Sequence, residues 1–208
     1  VTNNYIGGNS PLCGGTAWTK TNARNNSFTA IHLNVGTTTS SSVQNNTIKN
    51  FNWSNSASAD WVGIEIVGGK VDIGTISGNT IGATTGTNSI RVTGGSTGQS
   101  VYGIKLSGTG VLNCYNNLIG SLTGIAASGL ATHIYGIHLL GSATTTIENN
   151  TIGSTDTGSS IFASSASTDN AQMVYGIFSS SAGSTSIRDN SISNLKNNTS
   201  NTAVGTAG

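Results

Sequence analysis

Charge is what this chain has least of. Asp, Glu, Lys and Arg make up 7% of 208 residues, eight basic against seven acidic, for a formal net charge of +1. A typical soluble domain carries about 25%. Nucleic acid and anionic lipid surfaces are bound by clustered Lys and Arg that displace counterions, and eight scattered basic residues form no such cluster. Both are therefore excluded as partners. No apolar run approaches the roughly 18 residues of a membrane-spanning helix, so membrane insertion is not expected. Proline occurs once, at Pro11, and the two cysteines, Cys13 and Cys114, are too few for a disulfide scaffold and lack metal-ligand spacing. There is no initiator Met and no signal peptide, and Val1 falls inside a repeat, so the chain reads as a mature or excerpted segment.

Gly, Ser, Thr and Asn fill the space that charge leaves. Chains disordered for want of hydrophobicity usually carry high net charge, whereas this one repeats Ile, Val and Leu at fixed offsets, which points to order. The first repeated motif, apolar-x-x-Asn-x-Ile, occurs six times. Its apolar, Asn and Ile positions are Val1, Asn4 and Ile6; Val43, Asn46 and Ile48; Ile76, Asn79 and Ile81; Cys114, Asn117 and Ile119; Ile147, Asn150 and Ile152; and Ile187, Asn190 and Ile192. A second motif falls between successive copies of the first. It runs through Phe28, Ala30 and Ile31; Trp61, Gly63 and Ile64; Val101, Gly103 and Ile104; Ile134, Gly136 and Ile137; and Val174, Gly176 and Ile177. From Ala30 to Gly176 its copies are spaced by 33, 40, 33 and 40 residues.

Alternation of apolar and variable positions in the second motif is the period-2 signature of a strand with one buried face. One short strand cannot bury that face alone, so like strands from successive coils must stack in parallel around a shared interior. The Asn of the first motif lies between two inward apolar residues where the chain must bend. Asn tolerates left-handed geometry, and stacked Asn amides can bond one another along a buried corner. The structural ladder so expected is Asn4, Asn46, Asn79, Asn117, Asn150 and Asn190. In this register Cys114 is a small buried hydrophobe, and Cys13 lies about three rungs away, roughly 14 Å at ~4.8 Å per rung, beyond disulfide reach.

The two motifs resemble the right-handed parallel β-helix repeats of the pectate-lyase-like superfold, and the repeated Asn-Asn-Thr-Ile-Gly style resembles long secreted surface proteins of Bacteroidota-type bacteria. The resemblance implies an all-β, right-handed parallel β-helix of about five to six coils of 33 or 40 residues. Residues 1–208 then form a single β-helix segment, part of a longer repeat array without its caps. Connections from the first motif to the second alternate in length: long over 7–27, 82–100 and 153–173, short over 49–60 and 120–133. Long loops should therefore align on alternate coils, on one face.

Candidate chemistry is sparse. The outward column His32, Glu65, Lys105, His138 and Phe178 contains one carboxylate, where polysaccharide cleavage needs two within about 5–10 Å or a calcium-binding cluster. It reads as a solvated face with a weak Glu65–Lys105 pair. In the outward column of the first motif, Glu148 and Arg188 are neighbours placed to pair. Asp60, Asp72, Asp156, Asp169 and Asp189 scatter over loops and turns, with no two adjacent in register. His32, His133 and His138 read as surface residues, and Gly68-Gly69 and Gly94-Gly95 as turns. No catalytic residue, metal site or cofactor is expected. Trp61 shares a column with Phe28 and Val101 and is assigned to the core, while Trp18 and Trp53, placed in connections, are possible ligand contacts by stacking on a sugar.

These readings favour a structural role over an enzymatic one: a segment of an extracellular bacterial surface protein, an adhesin shaft or filament. Its partners would be flanking coils of the same chain or identical subunits end to end. The alternatives are a carbohydrate-binding β-helix module and a polysaccharide lyase or hydrolase of the same superfold.

Overall fold

A computed structural model describes residues 1–56, 58–95, 98–126 and 130–202. Among them the chain is all-β, with one 3-10 turn at Pro11–Cys13 and no α-helix. Three sheets form. The first contains Tyr5–Ile6, Thr47–Ile48, Thr80–Gly82, Leu118–Gly120, Thr151–Gly153 and Ser191–Ser193, stacked in that order. The second is built on the long strand Trp61–Ile73. Its first half lies between Phe28–Asn34 and Gln99–Leu106, and its second half between Ser41–Val43 and Gly110–Tyr115. Thr132–Leu139 and Val174–Ser179 continue one branch, Thr144–Glu148 and Thr185–Arg188 the other. The third contains Trp18–Lys20, Phe51–Ser54, Ile90–Gly94, Leu122–Ala126, Ile161–Ser165 and Leu195–Thr199. Every strand pairing described is parallel, as a β-solenoid requires.

Identical residues stack in columns. Ile6, Ile48, Ile81, Ile119, Ile152 and Ile192 are successive partners in the first sheet. The four central members are fully buried and share one hydrophobic core with Trp61, Ile64, Leu112, Ile90, Leu122 and Ile161 from the other two sheets. Burying such a side chain is worth about 1.5–3 kcal/mol. The core is therefore the sum of many small, repeated contributions.

Four features of the sequence reading need correction. The connections are not loops throughout: each one, long or short, contributes a strand to the third sheet, and Trp18 and Trp53 lie on two of these strands. Second, Ile76 points outward and is 88% exposed, while Ile73 pairs with Val43 and Cys114 in its place. Three extra residues, starting at Gly74 with φ +77°, loop out between Ile73 and Ser77 and shift the apparent motif. Third, the left-handed residue at the corner precedes the ladder Asn. Asn3, Asn45, Asn116, Asn149 and Asp189 have φ of 51–60°, which leaves the ladder residue free to aim its amide along the stack.

The last correction concerns the period of 2, which breaks at the repeated glycine. Trp61 and Ile64, three residues apart, both enter the core, and Gly63 between them faces the first sheet. A Cβ added at Gly103, Gly136 or Gly176 would sit 2.6 Å from Cγ2 of Ile119, Ile152 or Ile192. Only glycine allows the two sheets to approach this closely. The bend also turns the residues on either side of it outward together, so that Tyr102 and Lys105, or Tyr135 and His138, meet on the outer face.

Candidate functional site

The ladder corner is a closed hydrogen-bond system. Nδ2 of Asn4, Asn46, Asn79, Asn117 and Asn150 donates to Oδ1 of the next ladder residue at 2.8, 2.8, 2.8, 3.0 and 2.9 Å. The backbone N–H of each donates to that same oxygen at 2.9–3.1 Å. The second Nδ2 hydrogen goes back to the preceding coil, from Asn79 to Val43 O, Asn117 to Ile73 O and Asn150 to Cys114 O. Each central Asn thus has both donors and both acceptor positions engaged while wholly buried, which removes the desolvation cost of the amide. Beside it, burial pushes the Cys114 thiol up to about 12, too high for reactivity at neutral pH. Cys114 and Cys13 are both free thiols.

The outer face of the second sheet carries the ionic column, and the structure adds a member to it. Glu65 receives His32 Nδ1 at 2.9 Å and Lys105 Nζ at 3.3 Å, and Lys105 also reaches Asp60 at 3.7 Å. Two carboxylates therefore meet around one ammonium group, where the sequence reading expected this column to supply a single carboxylate. Asp60 comes from the turn before the strand, where no motif marks it. Burial raises its carboxyl above the usual range and Lys105 opposes that rise. The expected Glu148–Arg188 pair forms at 2.6 Å.

His138 is a further correction, since it is 7% exposed rather than a surface residue. Its ring stacks on Tyr135 at 4.5 Å and Tyr102 at 5.4 Å, and Tyr102, Tyr135 and Tyr175 stack in turn at 5.0 and 5.5 Å. Among the described residues neither imidazole nitrogen has a hydrogen-bond partner. Burial first, and the Lys105 charge second, bring His138 down to about 4. Burial pushes the Tyr135 phenol up to about 12. Ring faces in this column are covered by other rings, and its charges are paired. Among the described residues no three His, Cys, Asp or Glu side chains gather to hold a metal ion.

The two tryptophans kept as ligand contacts lie in inward-facing columns of the third sheet, Trp18 beside Phe51 and Trp53 between Lys20 and Val92. Trp53 donates its indole N–H to Asn26 O at 3.1 Å, and its ring lies under the Lys20 ammonium and against Phe28. Trp18 is 49% exposed and packs on Phe28 and Phe51.

The remaining candidate is a niche of about 280 Å³ on the outer face of the third sheet. Thr123 and Ile125 of one strand, and Phe162 of the next, line it together with Thr87, Asn88 and Ser159. The last three come from the segments 83–89 and 154–160, where the alternate long coils carry their extra residues. Those segments meet across the short coil between them, Gly86 N–H donating to Thr157 Oγ1 at 3.1 Å. No family model, curated protein or solved structure matches this chain.

Proposed function

We propose that this chain is a structural segment of an extracellular bacterial surface protein, a shaft built as a right-handed parallel β-helix whose coils alternate between 33 and 40 residues. The right hand follows from the crossover rule for parallel strands. The observation that carries the reading is the ladder. Ten hydrogen bonds to Asn side-chain oxygens join six coils in one line, a device that gains from every added repeat and stiffens the axis. Pairing of Glu65 with Lys105 and His32 supports the same reading over a catalytic one, because a carboxylate engaged by an ammonium group and an imidazole is poorly placed to take a proton from a substrate.

Immunogold labelling of intact producing cells with an antibody against this chain is the direct test. Label on the outer surface is expected. Label confined to the cell interior, or cleavage of a polysaccharide that Glu65→Gln abolishes, would overturn the proposal.

A further inference from the structure

We infer that the niche between the two long-coil segments is a binding site for a neutral saccharide. Its walls are made for one. A pyranose ring presents apolar C–H faces and a rim of hydroxyls that both donate and accept. The niche offers Phe162 and Ile125 to the first, and the hydroxyls of Thr87, Thr123 and Ser159 with the amide of Asn88 to the second. About 280 Å³ falls just below the roughly 300 to 1,000 Å³ of drug-sized ligand sites, room for a single sugar ring.

The floor carries the strongest observation. Thr123 is only 2% exposed, yet its hydroxyl makes no hydrogen bond among the described residues, and neither does that of Ser159. The Thr123 Oγ1 is open to a molecule in the niche rather than sealed in the interior, and Ser159 is half-buried. Asn88 donates to Thr87 Oγ1 and keeps its side-chain oxygen available. The rim is built in fixed geometry: Asn88 and Ser159 both hold left-handed backbone, at φ 63° and 60°, and the Gly86–Thr157 hydrogen bond ties the two segments to each other.

Charge decides the class of sugar. Among the described residues no ionisable side chain lines the niche. Of the two cations on neighbouring rungs, Arg91 donates to Asn52 Oδ1 at 3.3 Å, and Lys196 lies over the Phe162 ring with its Nζ 5.7 Å from the centroid. A uronic acid would need a cation in the lining to replace the hydration of its carboxylate, and neither Arg91 nor Lys196 is a lining residue. This inference stands independently of the shaft reading, since a surface location neither requires nor excludes it.

The test is titration calorimetry of the purified chain with a panel of neutral and uronic oligosaccharides. At least one neutral member should bind, with a dissociation constant on the order of 1 mM for so open a site. Phe162→Ala should weaken that binding about tenfold, and the near-isosteric Thr123→Val about fivefold. Thr123→Val preserves side-chain shape, so it keeps the test valid if Phe162→Ala unfolds; unchanged far-ultraviolet circular dichroism checks both. No binding tighter than about 10 mM, equal or better binding of uronic members, or binding that neither variant weakens would each overturn the inference.

Discussion

At the ladder corner the side chain of Asn117 makes four hydrogen bonds to other Asn residues and to Ile73 O, while on the outer face of the third sheet Thr123, almost as well buried, makes none with its hydroxyl. Both are small polar residues in a chain rich in them. The corner repeats every coil, so each amide meets an identical neighbour one rung away and is satisfied by repetition alone. At the niche the coils differ. Thr123 has Arg91 on one side and Phe162 on the other, and neither completes it. Repetition gives stability, and the break in repetition leaves a polar group for something else to use.

The comparison is most easily broken at the corner. Asn117→Ala would strand the backbone N–H and one Nδ2 hydrogen of Asn79 in the interior and remove one of the bonds on Asn150 Oδ1, with an expected loss of about 3–5 kcal/mol. Asn88→Ala at the niche should stay within about 0.5 kcal/mol. Denaturant unfolding of the two variants measures the contrast. Gly136→Ala attacks the close approach of the sheets instead. Its Cβ would lie 2.5 Å from Gly176 O and 2.6 Å from Ile152 Cγ2, at an expected cost of about 2–4 kcal/mol, read from the same denaturation curves.

Acid sharpens the comparison on the second sheet. His138 is held neutral, its pKa lowered to about 4 from the ordinary 6.5. Unfolding lets it bind a proton more readily. Its neutral burial is therefore least opposed above pH 6.5, and stability should fall by about 2–3 kcal/mol as pH drops from 6.5 to 4. His138→Phe should flatten that stretch of the stability profile. Smallest is Glu65→Gln. It removes partners of Lys105 and His32 at a partly exposed site, where about 0–1 kcal/mol is expected from thermal unfolding at low salt.

How much of this was legible in the sequence depended on whether position or partner carried the information. Asn46, Asn79, Asn117 and Asn150 could be read because the residue that satisfies each is another copy of itself at the same offset. The inward Ile column of the first sheet was legible for the same reason. The third sheet was not. No one residue is common to all its strands, which start with Trp18, Phe51, Ile90, Leu122, Ile161 and Leu195, and its distance from the ladder changes with every long segment. From Asn46 to Phe51 is 5 residues and from Asn79 to Ile90 is 11. Ile76 misled because a three-residue insertion happened to restore the motif spacing with an exposed residue. Asp60 and His138 were out of reach for another reason: Asp60 matters through Lys105 of a different coil, and His138 through Tyr135 of its own strand together with rings from the neighbouring coils. The alignment of long segments on alternate coils could be anticipated from spacing, but not Thr123 and Phe162, which lie on strands with no signature.

Side-chain amide hydrogen exchange, followed by NMR, tests the central claim most directly. If the ladder is a continuous buried system, the Nδ2 hydrogens of Asn46, Asn79, Asn117 and Asn150 should exchange orders of magnitude more slowly than those of Asn88. Ladder amides that exchange as fast as Asn88 would contradict it.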